Sequence, residues 1–112
     1  LRFYLLKEMS YGQDSVFTLE GYVNCINAHL ANGMGNLASR VLTLCQKNFK
    51  GSLDESLLTK EDHALLEERS KTVQEWDRAF KDAKYQNALK AWAELVTATD
   101  LYINNNKPWA LA

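Results

Sequence analysis

Three side chains at four-residue intervals, Asn32, Asn36 and Arg40, and a tryptophan, Trp109, placed directly behind Pro108, are the residues of this chain whose types and spacing could do chemistry. At 100° per residue the first three lie within about 80° of a helix circumference, and the apolar positions Leu30, Leu37 and Val41 fall in the adjoining sector. Asparagine offers a paired donor and acceptor and arginine a planar fork of donors, a set suited to the edges of nucleic-acid bases. Most polar sectors of amphipathic helices face only water, so spacing alone leaves both readings open. Trp109 follows Lys107-Pro108 after a helix end, and proline there fixes the chain direction, so the indole is expected to project from a non-helical segment. An indole held in that way can stack an unpaired base, or it can fold back over the end of the helices.

Catalysis is not expected from these residues. Glu67-Glu68 and Asp54-Glu55 are sequence neighbours and cannot face one another on one helix, so they supply no acid/base pair. Neither a glycine-rich phosphate loop nor a Ser/His/Asp or Cys/His pattern is present. His29 and His63 lack a cysteine or histidine at zinc-ligand spacing, so no metal site is expected. Cys25 and Cys45 are expected on one helix, about 30 Å apart at 1.5 Å per residue, too far to bridge. Both fall on or near apolar positions, as reduced thiols do in a reducing compartment.

The 112 residues, 46% hydrophobic and 24% charged, suffice for one core and leave no room for a second domain, so residues 1–112 are read as a single domain. No stretch approaches the roughly 18 to 20 apolar residues of a membrane span, and the opening Leu1-Arg2-Phe3-Tyr4 reads as a helical turn rather than a leader. A cytoplasmic protein is expected. A net charge of −1 argues against a protein that grips nucleic acid through phosphates, but not against one that reads a few exposed bases.

The elements that must position these residues are helices. The chain opens inside an apolar-periodic segment with no capping residue ahead of it, as expected of a piece cut from a longer chain. Tyr11 to Ser15 supply turn chemistry, and Thr18 is the expected cap of a long helix. From Leu19 to Phe49, Leu19, Val23, Ile26, Leu30, Met34, Leu37, Val41, Leu44 and Phe49 recur at steps of mostly three and four, and Gly51 is the expected stop. Gly33 and Gly35 in its middle each cost about 1 kcal/mol against alanine, which suggests close approach of another backbone or a slight kink. Thr59 to Asp62 resemble a capping box, followed by a stripe of Leu66, Val73, Trp76 and Phe80 to about Lys84. A third helix opens at Tyr85 and ends in Asn104-Asn105-Asn106-Lys107-Pro108. Trp76 and Trp92 lie on apolar stripes and are expected in the core. Without strand-like alternation, these segments predict an all-α antiparallel helix bundle.

Several of these segments together resemble a known family. Leu1-Arg2-Phe3-Tyr4-Leu5-Leu6 resembles the helix after the catalytic domain of class I aminoacyl-tRNA synthetases, often written D-A-L-R-x-x-L-L. Ser10 to Thr18 are similar to the F-G-x-D-x-x-F connector of methionyl-tRNA synthetases. Val23-Asn24-Cys25-Ile26-Asn27 through Asn32, then Gly35-Asn36-Leu37-Ala38-Ser39-Arg40, resemble that family's N-x-x-N-x-x-L-x-N-x-x-G-N-L-x-S-R helix, with Gly33 where the family commonly carries an acidic residue. Pro108-Trp109 resembles its P-W after the last helix.

The resemblance implies a bundle of the class I anticodon-binding type. It implies that Asn36 and Arg40, with Asn32 beside them, hydrogen-bond anticodon bases, and that Trp109, positioned by Pro108, stacks on the first anticodon base, a cytosine. The implied partners are the CAU anticodon loop of methionine tRNA and the enzyme's own catalytic domain, with neither DNA nor membrane. ATP, methionine and zinc belong in the family to that catalytic portion, so no cofactor is expected in this fragment. The alternatives are the corresponding domain of an isoleucine, valine, leucine or cysteine synthetase, or a helical protein-interaction module with no RNA role.

Overall fold

The last helix but one, α5 (Tyr85–Asn106), is the element on which the others assemble, and its Ala88, fully buried, marks where neighbours approach closest. The computed structural model describes residues 1–9, 12–52, 54, 56 and 58–111, the last of these through its backbone. Ser10 and Tyr11 of the connector, and Glu55, lie outside the described residues. Among the described residues every element is helical, as the periodicity predicts.

Helix α1 (Arg2–Glu8) packs on α5, setting Phe3 edge-on to Trp92 with ring centroids 5.6 Å apart, while its buried Tyr4 lies against Phe17 and Tyr22. Thr18 caps α2 (Leu19–Cys25) as expected, its hydroxyl accepting from the Gly21 N–H at 3.0 Å. The helical path then continues without a break to Phe49, but not as one α-helix. Residues Ile26–Gly35 form a π-helical segment, and α3 (Asn36–Phe49) resumes the tighter winding.

The two glycines account for this wide middle. A Cβ on Gly33 would stand 3.1 Å from the Ala28 carbonyl oxygen, and one on Gly35 would stand 2.9 Å from that of Leu30. Each carbonyl lies five residues back, the separation of π-helical hydrogen bonding, and the Asn36 N–H likewise reaches the Ala31 carbonyl. The backbone that comes close is therefore the helix's own, not that of another element. The run stops at Lys50, which takes the left-handed conformation one residue before Gly51 does, and the Gly51 N–H closes on the Cys45 carbonyl at 3.2 Å.

The reciprocal capping box opens α4 (Lys60–Lys81): the Thr59 N–H donates to Asp62 Oδ2 at 2.6 Å, and the Thr59 hydroxyl accepts from the Asp62 N–H at 3.4 Å. The helix ends three residues before the expected Lys84, because Ala83 turns left-handed and the Lys84 N–H returns to the Ala79 carbonyl. That turn sends α5 back along α4, the most extensive pairing in the molecule. Lys107, again left-handed, ends α5, and α6 (Pro108–Leu111) follows as one helical turn.

The bundle is drawn out rather than round: its extents are 50 × 29 × 21 Å and its radius of gyration is 16.7 Å, against about 13 Å for a compact domain of this size. Much apolar surface consequently stays open outside α5, on which the other helices gather. Trp76, expected in the core, is 41% exposed and rests on Phe80 of its own helix, with centroids 4.4 Å apart; among the described residues α5 is the main packing partner of α4. Leu19, Val23, Met34 and Phe49 of the long stripe are exposed as well.

Candidate nucleic-acid interface

The polar row meets the end of α5 through Arg40 of α3. Its Nη1 donates to Asp100 Oδ1 at 3.3 Å and its Nη2 to Asn104 Oδ1 at 3.2 Å. Asn104 Nδ2 in turn donates to Asp100 Oδ2 at 3.3 Å, so the two acceptors, one turn apart on α5, brace each other. The guanidinium has five N–H donors, so this clasp fixes the fork while leaving donors for a further acceptor. The Arg40 side chain remains 34% exposed.

Trp109 completes the group. The Arg40 guanidinium carbon sits over its ring, 5.4 Å from the centroid, within the range of a cation–π contact, and the indole is 47% exposed. The segment that carries it is helical, contrary to the expectation of a non-helical projection. Pro108 occupies the first position of α6, where its fixed φ suits a helix and its missing N–H costs nothing. The indole thus neither folds fully over the bundle end nor stands free, and Arg40 lies against its ring.

Asn36, the first residue of α3, lies one regular turn before Arg40 and is exposed, as is Asn32 within the π-helical segment. A π turn takes more residues than an α turn, so the step from Asn32 to Asn36 falls short of a full turn where an α-helical step would overshoot it. The drift across the three positions is thereby reduced, and the row is straighter than uniform 100° winding makes it. Asp100 and Asn104 are the site residues that the sequence reading missed. Their spacing of four, just ahead of Pro108-Trp109, is the signal that could have found them.

A second cluster gathers where α1 ends beside the start of the π-helical segment. Glu8, Cys25 and His29 each bring one potential ligand atom to within 4.8 Å of the others, although the sequence reading gave His29 no partner and passed over Cys25 four positions before it. A 2.6 Å hydrogen bond from Lys7 holds Glu8 below the usual carboxylate range. Burial pushes the Cys25 thiol up and the His29 imidazole down, so both favour their neutral forms. Among the described residues no helix is long and apolar enough to cross a membrane.

In comparison with known proteins, residues 1–42 match a family model described as tRNA synthetases class I (M). The chain is homologous over its whole length to methionine–tRNA ligases. It is 38% identical to the methionine–tRNA ligase of Bacillus subtilis, 37% to methionine–tRNA ligase 1 of Bacillus anthracis and 35% to the enzyme of Streptococcus pneumoniae, each across 100% of this chain. It spans 17% of the length of each of these relatives.

Proposed function

We propose that this chain is the anticodon-reading portion of a methionine–tRNA ligase, recognising the CAU loop of methionine tRNA for a catalytic portion that attaches methionine to that tRNA with ATP. The observation that carries the reading is the Arg40 clasp: a fork of donors fixed by Asp100 and Asn104 and laid against a half-exposed indole. A splayed cytosine could stack on the open part of Trp109, supported from Pro108, while Arg40 and Asn36, with Asn32 behind them, meet base edges. Arg40 is largely neutralised by Asp100, so the surface selects bases more than it attracts phosphates, in keeping with the net charge of −1.

The other partner in this reading is the enzyme's own catalytic portion, which would supply the ATP and zinc sites and the acceptor-arm contacts. Leu1, Val16 and Leu19 are exposed apolar side chains that such a partner could cover. A cytoplasmic location follows from the same reading. Titration of the chain with a labelled anticodon stem-loop carrying CAU, beside one altered in its first anticodon base, tests the assignment. Tighter binding of CAU is expected, and equal binding of both loops would overturn it.

A further inference from the structure

Glu8 closes α1, Cys25 closes α2, and His29 follows one turn into the π-helical segment. The four-residue spacing of Cys25 and His29 sets both on one side of the helical run, and that side meets the end of α1. Their arrangement is graded in depth. The Cys25 residue is 6% exposed, His29 is half-buried, and the Glu8 side chain is 43% exposed at the rim. Thiol, imidazole and carboxylate, one of each within 4.8 Å, form a mixed donor set of the kind borderline divalent ions take.

We infer that Glu8, Cys25 and His29 form a three-ligand site for a zinc-class divalent cation that ties the end of α1 to the start of the π-helical segment. Ligand atoms around a tetrahedral zinc, at about 2.0 to 2.3 Å from the ion, stand about 3.3 to 3.8 Å from one another. The three groups therefore have to close by roughly 1 Å, within reach of side-chain rotation at Glu8, the most exposed of them. Lys7 holds Oε1 of Glu8 at 2.6 Å and leaves Oε2 for the ion. On binding, the Cys25 S–H bond breaks, the sulfur lone pair goes to the metal, and the proton leaves to solvent. Water takes the fourth position, on the side where Glu8 meets solvent.

The test uses the untagged, metal-stripped chain titrated with Co²⁺, a spectroscopic stand-in for zinc. The expected result is a thiolate-to-cobalt charge-transfer band with visible absorption typical of four-coordination, both removed by one equivalent of Zn²⁺. Cys45→Ser should keep the band and Cys25→Ser should lose it. His29→Gln and Glu8→Gln alter less buried positions, so the fold survives if burial of Cys25 makes its replacement disruptive, and each should weaken Co²⁺ binding about tenfold or more. A native chain without the band, or a band that follows Cys45 or ignores both His29→Gln and Glu8→Gln, would overturn the inference.

Discussion

Arg40 of α3 and Trp109 of α6 lie against one another, guanidinium carbon to ring centroid 5.4 Å, although 69 positions separate them in sequence. One part of the indole is thereby occupied by a cation while 47% of the residue stays open to solvent. Stacking of a base on such a platform is worth about 1 to 3 kcal/mol, so Trp109→Ala is expected to weaken binding of the CAU stem-loop by about 5- to 150-fold. Trp109→Phe, which keeps a π face, should recover part of the loss. Fluorescence anisotropy with both loops measures it. An alanine variant that still prefers CAU to the altered loop would remove Trp109 from the site.

Asp100 and Asn104 are expected to matter for selectivity rather than stability. Their bonds to Arg40 join partly exposed groups, 34% for Arg40 and 45% for Asp100, so the ion pair contributes at most about 1 kcal/mol to folding. What the clasp supplies is direction. Freed from it, Arg40 has to be ordered at binding, a cost of about 0.5 to 1.5 kcal/mol, or roughly 2- to 10-fold in affinity for the matching loop. Loss of the carboxylate at the same time lessens repulsion of any RNA. Asp100→Ala and Asn104→Ala should therefore narrow the preference for CAU with little change in melting temperature, and Asp100→Ala should not weaken the altered loop. Equal losses for both loops would show that the pair does not orient Arg40.

The parts of this architecture that local rules govern were legible in the sequence. The Thr18 and Thr59 caps, the Tyr85 start and the antiparallel helical plan follow from residue types a few positions apart. What was not legible depends on partners in space. The Trp76 stripe has the right period for a core, but only assembly reveals that Trp76 stays 41% exposed and Val73 57%. Gly33 and Gly35 announce an irregularity without saying which, since a kink and a π-helical segment share that signal. The polar row was found from spacing, whereas its anchors on α5 were not, because Asp100 and Asn104 gain significance only when α3 and α5 meet.

The start of α4 should loosen in acid. The Thr59 N–H and hydroxyl, both donating to Asp62, hold its carboxyl below the ordinary range. A group whose folded value is depressed contributes stability above its unfolded value and loses that contribution as pH falls through the folded one. The box should thus be intact at neutral pH and weaken below about pH 4. Amide exchange at residues 60–64 should accelerate there more than at the middle of α4. Asp62→Asn should remove most of this dependence, and an unchanged profile in that variant would show that the carboxylate does not hold the helix end.

The sharpest test of the π-helical segment is Gly35→Ala against Gly33→Ala. Alanine gains about 1 kcal/mol over glycine in helix propensity, so both substitutions would stabilise a helix with room for them. At Gly35 the new Cβ would stand 2.9 Å from the Leu30 carbonyl oxygen, a backbone atom that can yield only if the turn rewinds. At Gly33 the distance to the Ala28 oxygen is 3.1 Å, where a shift of tenths of an ångström suffices. Overpacking strain of about 1 to 3 kcal/mol outweighs the propensity gain at Gly35 and roughly balances it at Gly33. Gly35→Ala is therefore expected to lower the melting temperature by several degrees, and Gly33→Ala to change it little. If the segment relieves the strain by rewinding as α-helix, Asn36 and Arg40 rotate relative to α5 and the bonds to Asp100 and Asn104 are lost, so CAU preference should fall along with stability. A Gly35→Ala chain that melts higher and binds unchanged would mean that the wide turn is not what aligns the row.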